Sequence, residues 1–567
     1  MSSVDLPLPA LRSDLPQGSP RWAVRRAEWR SLGITDEEMT RPKIAIVNSS
    51  NDLAACFSHL DDIVPRLKQA IRDAGGLPFE IRTAAPSDFV TSNGAGGRYI
   101  LPTRDLIVND IEVVVEGARL DGMVCLTSCD KTGPAHLMAA GRLDVPTVLV
   151  ACGYQRNALA EDGGPDIEEV FLLSSQSGLG GISVDELTTL SERAIRGPGV
   201  CAGLGTANSM HIAAEALGMM LPGTAPVRAN SPAMWEAVEA AGRRIVELVT
   251  EGVKPRAVLT EAAIRNAVVV MLGIGASINS IKHLQAVAEE TGLDVDVWRL
   301  YEELAPRVPV IAAVRPNGPH LIENLEDAGG ARGVMVQLAS LLDLDVIGVS
   351  GRRLGDVLAD APAPDTEFIR PVDRPFSNTP SILVVRGSLA EDGAVVKLPA
   401  DEERPSRFAG PARCYPGREE ALDGLARGEI RPGDVVVLRG MGVHGGPGMA
   451  MASALVFALE GAGLGEKVAV VTDGQLSGLV NKGIVVGEVS PEAATGGPLG
   501  LVADGDRIVI DLLRRTVDLE VDAATLAGRR SAEPHTDRSR GWLSIYDRTV
   551  TTPSRGSVLI TPIGGAG

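Results

Sequence analysis

The stretch Gly122–Pro134, GMVCLTSCDKTGP, decides how the chain is read. GMVCLT is an apolar run of strand length, and Ser128-Cys129-Asp130-Lys131 breaks it with polar turn residues. A helix is expected to begin near Pro134, and PTVLVA at 146–151 reads as the next strand. Upstream, KIAIVN at 43–48 is a short buried strand that runs into a polar loop ending at Cys56. A helix follows, with Ile63, Val64, Leu67, Ala70, Ile71 and Ala74 at helical spacing and Gly75-Gly76 as its stop. Another strand is expected at 78–82. Strands alternating with helices predict a mainly parallel α/β sheet. Ligands of such sheets gather beyond the carboxyl ends of the strands, where Cys56 and Cys129 both fall. Cys125, inside the strand, is read as core.

With 567 residues the chain exceeds one ordinary core, so two or three domains are expected. Residues 1–40 read as an N-terminal extension, 41–370 as the α/β region and 371–567 as a β-barrel-like C-terminal domain. Pro371, Pro375 and Pro380 mark the entry to the last. Beyond them lie short strands at 381–386, 434–439, 468–472 and 506–511, and 516–521 alternates as a half-buried strand does.

Composition narrows the function classes. Apolar residues make up 44% and charged residues 22%, as in globular proteins. A net charge of −19 leaves no basic stripe for phosphate, and aromatics at 3% leave no base-stacking platform, so no nucleic-acid partner is expected. The first twenty residues have no apolar signal core, and no window is long enough to span a membrane, so the protein is expected in the cytoplasm. Its six cysteines should then be reduced.

Cys56, Cys129 and Cys201 stand far apart without a CxxC pair, which speaks against structural zinc. Taken singly, each is equally a small core hydrophobe. Cys201 follows Gly197-Pro-Gly-Val and precedes a helix through Met210, Ala213, Ala214 and Leu217, a place where backbone can approach a ligand and a helix start favours thiolate. Three scattered thiolates suit a cluster with one iron open to substrate, although spacing alone does not establish it. Gly445-Gly-Pro-Gly lacks the Lys-Ser/Thr of a phosphate loop, so no nucleotide site is expected. His59, His136, His211, His283 and His444 are single histidines without ligand spacing; His444 adjoins the expected pocket and could bind a substrate carboxylate, but a structural or solvated role is expected.

Several motifs together are specific. They are Cys129-Asp-Lys-Thr-Gly-Pro, Gly203-Leu-Gly-Thr-Ala-Asn-Ser-Met, Leu217–Gly223 (LGMMLPG), Gly445-Gly-Pro-Gly-Met, Thr472-Asp-Gly-Gln-Leu-Ser-Gly and Ser490-Pro-Glu-Ala-Ala-Thr-Gly-Gly-Pro. In this order, over almost the whole length, the chain resembles the dihydroxy-acid and sugar-acid dehydratase family (IlvD/Edd). The resemblance implies an iron–sulfur cluster on Cys56, Cys129 and Cys201, 2Fe–2S rather than 4Fe–4S. It also implies magnesium beside the cluster, with Asp88, Asp130 and a carbamylated Lys131 as ligands. Ser477 is implied as the base that takes the C2 proton of a small 2,3-dihydroxy acid, with 2-keto acid as product. Out of this context Asp130-Lys131 would be a solvated turn and Ser477 an ordinary loop serine. Asn279 matches a further family motif expected to shape the site. A homo-oligomer, dimer or tetramer, is implied as well.

The chain departs from the family around the same site. Met451 stands at the position of a magnesium-binding glutamate, and a thioether does not replace a carboxylate there. Gly440-Met441-Gly442 replaces Tyr-Glu-Gly, Asn93-Gly94-Ala95-Gly96 lacks the family's acid or histidine, and Phe57 replaces asparagine. These changes predict a more apolar pocket, a substrate less polar than a sugar acid and weakened magnesium binding. The alternative is a non-dehydratase relative that keeps the cluster for another lyase reaction, redox sensing or scaffolding.

Overall fold

The computed structural model describes residues 10–92, 94–157, 160–161, 163–177, 181–399, 405–444, 446, 452–477, 480, 483–532 and 540–559. Four strands open it: β1 (Lys43–Asn48), β2 (Leu77–Arg82), β3 (Gly122–Thr127) and β4 (Thr147–Ala151). They pair in the order β2-β1-β3-β4, all parallel, as the alternating pattern predicts. β1, β3 and β4 are buried along their whole length, which is why they read as continuous apolar runs rather than alternating ones.

Helix Leu60–Asp73 connects β1 to β2 and buries Ile63, Val64, Leu67, Ala70 and Ile71. The long helix Pro232–Glu251 lies across it, and the two approach so closely that a Cβ on Gly242 would stand 2.7 Å from the Cβ of Ala70. Helix Thr132–Leu143, which follows the Cys129 loop, is buried over nearly every residue between helices Ile100–Ala118 and Ser280–Thr291. The N-terminal segment is tied to the body: Ser13 donates from its backbone N (3.0 Å) and its Oγ (2.6 Å) to the Asp121 carboxylate.

The C-terminal half is a closed barrel, as expected. Its strands are β5 (Ile382–Gly387), β6 (Ala390–Lys397), β7 (Arg407–Tyr415), β8 (Val435–Leu438), β9 (Ala469–Thr472), β10 (Ile484–Ser490), β11 (Arg507–Asp511) and β12 (Thr516–Leu519). The order around the barrel is β10-β6-β5-β12-β11-β7-β8-β9, with β7 to β10 parallel. Val435, Val437, Val471 and Val486 point into the barrel core, whereas Val436, Val470 and Val485 join the large core shared with the helices. Both faces of these strands are therefore buried, and the barrel is built into the body.

β6, β7 and β10 escape the sequence pattern. β6 begins with the exposed acids Glu391 and Asp392, and β7 carries Gly410-Pro411. At Gly410 a Cβ would meet the Gly433 carbonyl oxygen at 1.9 Å, so a packing constraint and not strand propensity fixes that residue.

One contact ties the barrel to the helices and another ties its loops together. Trp298, 1% exposed, lies on Gly393 of β6 and donates from Nε1 to the Pro553 carbonyl at 3.2 Å. Asp473, just past β9, accepts from the backbone N–H groups of Gly440 (3.0 Å), Met441 (2.9 Å) and Ala493 (3.0 Å), joining the loops after β8, β9 and β10. Burial, helped by the charge of Glu492, outweighs those donors and pushes the Asp473 carboxyl up to about 6 from its ordinary 3.8.

Trp298→Ala is expected to lower stability in denaturant unfolding by about 3–5 kcal/mol; a loss below about 1 kcal/mol would show that the tryptophan does not join the two layers. Because the folded state holds the Asp473 proton to higher pH than the unfolded chain, this group's stabilising contribution is complete below about pH 4 and is lost as pH rises through about 6. Asp473→Asn should remove that part of the slope. Equal pH slopes for variant and parent would contradict the assignment.

Candidate active site

Three loops meet beyond the carboxyl ends of β1, β3 and β4. The Cys56 loop leaves β1, and the Ser128 Oγ donates to the Cys56 carbonyl at 2.5 Å, fastening it to the loop after β3. The Gly199 N–H donates to the Ala55 carbonyl at 3.1 Å, which brings the segment before Cys201 onto the same loop. Asn208 donates from Nδ2 to the carbonyls of Cys201 (2.9 Å) and Gly203 (2.8 Å) and shapes the turn ahead of helix Thr206–Ala216. Two of the single histidines serve this scaffold: His211 Nε2 donates to the Ser128 carbonyl at 2.9 Å, and His59 Nε2 to the Cys152 carbonyl at 2.7 Å.

The structure brings most of the expected residues around one cavity. Cys129, Cys201, Asp88, Asp130 and Ser477 line it. Cys56 is not among the lining residues; it is buried and close enough to Cys129 to act on its thiol. Contact with Cys56 and burial push the Cys129 thiol well up; burial and the neighbouring acid Glu168 do the same for Cys201. Cys125 is fully buried in β3, as its strand position implies.

Lys131 is 3% exposed and sits just outside the cavity, with Nζ 2.9 Å from Asp88 Oδ2 and 3.8 Å from Asp130 Oδ2. Burial works toward the neutral amine, but the two carboxylates prevail and hold the ammonium above its ordinary range. Burial and the charge of Asp88 push the Asp130 carboxyl up, against Lys131 and a backbone hydrogen bond from Ala207 at the helix start.

Ser477 comes from the barrel side. Its backbone N–H donates to the Ser453 Oγ at 2.7 Å, and Asp473 anchors the start of the same motif. Asn279 reaches the site indirectly: its Nδ2 donates to the Thr206 Oγ1 at 3.0 Å, and Thr206 lines the cavity.

His444 takes the structural role expected of it, pairing through Nδ1 with the buried Glu492 and through Nε2 with the Val550 carbonyl (3.1 Å). Other expectations change. Phe57 is buried in the core and does not line the cavity. Met451 and Asn93 lie outside the described residues. Next to the replaced acidic position, the Glu492 carboxylate fills the space a Cβ on Gly442 would need, 1.7 Å from its Oε2.

Sequence reasoning missed four lining residues: Phe89, Ser92, Phe171 and Glu168. Phe89 and Phe171 meet edge to face at 5.3 Å and form an apolar wall, with Phe457 behind Phe171. Glu168 lies in the first turn of helix Ile167–Ser174, where acids ordinarily read as favourable partners of the helix start. That reading conceals its pocket position.

Comparison with known proteins identifies the family. The profile described as dihydroxy-acid/6-phosphogluconate dehydratase N-terminal matches residues 41–357, and its C-terminal counterpart matches 367–557. The dihydroxy-acid dehydratase of Methanothrix thermoacetophila is 41% identical over 555 residues, covering 97% of this chain and 100% of the relative. Those of Ignicoccus hospitalis and Syntrophobacter fumaroxidans are 40% and 39% identical, covering 95% and 97% of this chain and 98% and 99% of the relatives. The chain belongs to the dihydroxy-acid/6-phosphogluconate dehydratase family.

Proposed function

We propose that the protein is an iron–sulfur-dependent hydro-lyase that removes water from a small 2,3-dihydroxy acid and releases a 2-keto acid. The observation that carries this reading is the convergence of Cys129, Cys201, Asp88, Asp130 and Ser477 on one cavity, with Cys56 against Cys129, in a chain of this family. Among the described residues no three His, Cys, Asp or Glu side chains come together as a single metal ion requires. A cluster distributes its thiolate ligands over more than one iron, so thiols placed around a cavity fit it. Magnesium is a single ion, and the described residues do not complete a site for it; no step is assigned to it.

When bound, an open cluster iron supplies Lewis-acid polarisation of the departing C3 hydroxyl. The remaining work falls to the chain. Ser477 takes the proton from C2 as hydroxide leaves C3; that proton, passed on to the hydroxide, completes the water, and the resulting enol moves its hydroxyl proton to C3 to become the 2-keto acid. A serine does this only as its alkoxide, whose charge must be stabilised, and the Ser453 contact fixes the turn that presents it. Phe89 and Phe171 keep one side of the cavity dry, which strengthens the polar contacts on the other. Asp88 and Asp130 hold the Lys131 side chain at the cavity edge. The six cysteines are free, which accords with action in the cytoplasm; among the described residues no helix is long and apolar enough to cross a membrane. We assign a homo-oligomer, dimer or tetramer, on family grounds.

An anaerobic preparation is expected to be coloured and to contain iron, and to form 2-keto acid from at least one member of a 2,3-dihydroxy-acid panel. A colourless, iron-free preparation removes the cofactor. Ser477→Ala is expected to lose about 10²–10⁴-fold in kcat with an unchanged visible spectrum; retained turnover removes Ser477 as the base.

A further inference from the structure

Lys397 closes β6 with a buried amine that no acid accompanies. It is 3% exposed, and burial pushes it down to about 7 from its ordinary 10.5, with no charged group among the described residues acting on it. Its Nζ donates instead to two backbone carbonyls, those of Gly275 (3.1 Å) and Ala276. Both stand just past the end of helix Glu261–Gly273. There the Gly275 and Ala276 N–H groups close on the Leu272 and Met271 carbonyls, and Gly275 takes a φ of +57°. A helix end of this kind carries partial negative charge and favours a cation. Two more polar side chains lie at the turn: a Cβ on Gly275 would stand 3.3 Å from Asn317 Nδ2 and 3.3 Å from Ser381 Oγ. Asn317 Oδ1 and Ser381 Oγ are buried, and among the described residues neither has a hydrogen-bond partner.

The residues that follow in this turn grip the helix that opens into the cavity. The Ser277 N–H donates to Ser209 Oγ at 2.9 Å, Ser277 Oγ shares a hydrogen bond with Thr206 Oγ1 at 2.9 Å, and Asn279 Nδ2 donates to Thr206 Oγ1 at 3.0 Å. Thr206 and Asn208 line the cavity, and Asn208 holds the Cys201 carbonyl. A lysine that only covered a helix end would lay its stem along the surface and leave its ammonium in water; this one reaches across from the barrel and is sealed in. Burying an ammonium on carbonyls alone is costly, and an apolar side chain of similar length would fill the space without that cost. What the charge supplies, and an apolar side chain does not, is a partner for converging carbonyls, the groups that replace the water around a monovalent cation.

Resting on the dehydratase reading for the reaction it serves, we propose that Lys397 is a positioning residue that acts as a tethered monovalent cation. Its ammonium occupies a site built by the Gly275 and Ala276 carbonyls, with Asn317 and Ser381 beside them. From the barrel it thereby holds the Asn279–Thr206 wall of the cavity in place for catalysis. Removing the side chain leaves an oxygen-lined site for a free ammonium or potassium ion.

The test uses the anaerobic holoenzyme with Lys397→Ala, which empties the site, and Lys397→Met, which fills the space of the stem without charge. Each is assayed per bound iron in tetramethylammonium chloride, then in ammonium or potassium chloride at the same ionic strength. Lys397→Ala is expected to keep its visible spectrum and to lose about tenfold or more in kcat in tetramethylammonium. Ammonium or potassium should restore at least about threefold of that loss, whereas Lys397→Met stays low in every salt and wild type is indifferent. Ammonium should also raise the unfolding midpoint of Lys397→Ala without shifting that of wild type. Unchanged kcat in Lys397→Ala, no recovery with either ion, equal recovery in Lys397→Met, or a Lys397→Ala protein that folds in none of the salts would overturn the proposal. Wild-type protein that makes no keto acid would refute the dehydratase reading alone. The midpoint of Lys397→Ala still judges the cation site in that case, and a midpoint indifferent to ammonium would overturn the proposal as well.

Discussion

The site depends on the parallel pairing of β1 with β3. Their register sets Ile44 opposite Gly122 and Val47 opposite Cys125, so the two strands end at the same edge of the sheet. Loops leaving neighbouring parallel strands at one edge must emerge side by side. Cys56 and Cys129, 73 residues apart in the chain, become neighbours for that reason, and the Ser128 to Cys56 hydrogen bond fixes the outcome. The next strand extends the arrangement. Beyond β4 the Gln155 N–H donates to the Val200 carbonyl at 2.8 Å and its Nε2 to the Gly199 carbonyl at 2.9 Å, which carries Cys201 to the same edge.

The barrel contributes the opposite wall by the same logic. β8 and β9 are parallel and buried on both faces, one inside the barrel and one against the helices. Their carboxyl-end loops are gathered on the Asp473 carboxylate, and the chain then runs directly to Ser477. Two separate sheets thus direct their strand ends toward one cavity. Between them, buried polar contacts such as Thr206 with Ser277 (2.9 Å) and Lys397 Nζ with the Gly275 carbonyl (3.1 Å) hold the turn that carries Asn279.

How much of this was legible follows from how local each signal is. β1, β3 and β4 were readable because an apolar run ending in turn residues is a local pattern, and Cys56 and Cys129 were placed by it. The barrel was readable as a class, but β6, β7 and β10 were not: Gly393, Gly410-Pro411 and Gly487 interrupt the periodicity to suit neighbours distant in sequence. Glu168 was hidden because an acid in a first helical turn has a sufficient local explanation. His444 was legible as structural, but its proximity to the pocket in sequence did not reveal the buried Glu492 that engages it.

The account stands on iron held by three particular thiols. X-ray diffraction from crystals grown without oxygen, collected on either side of the iron absorption edge, tests it most directly. The anomalous difference is predicted to peak within bonding distance of the sulfurs of Cys56, Cys129 and Cys201, beside Asp88, Asp130 and Ser477. Iron-replete protein whose anomalous peak lies elsewhere, or touches only some of these sulfurs, would contradict the account.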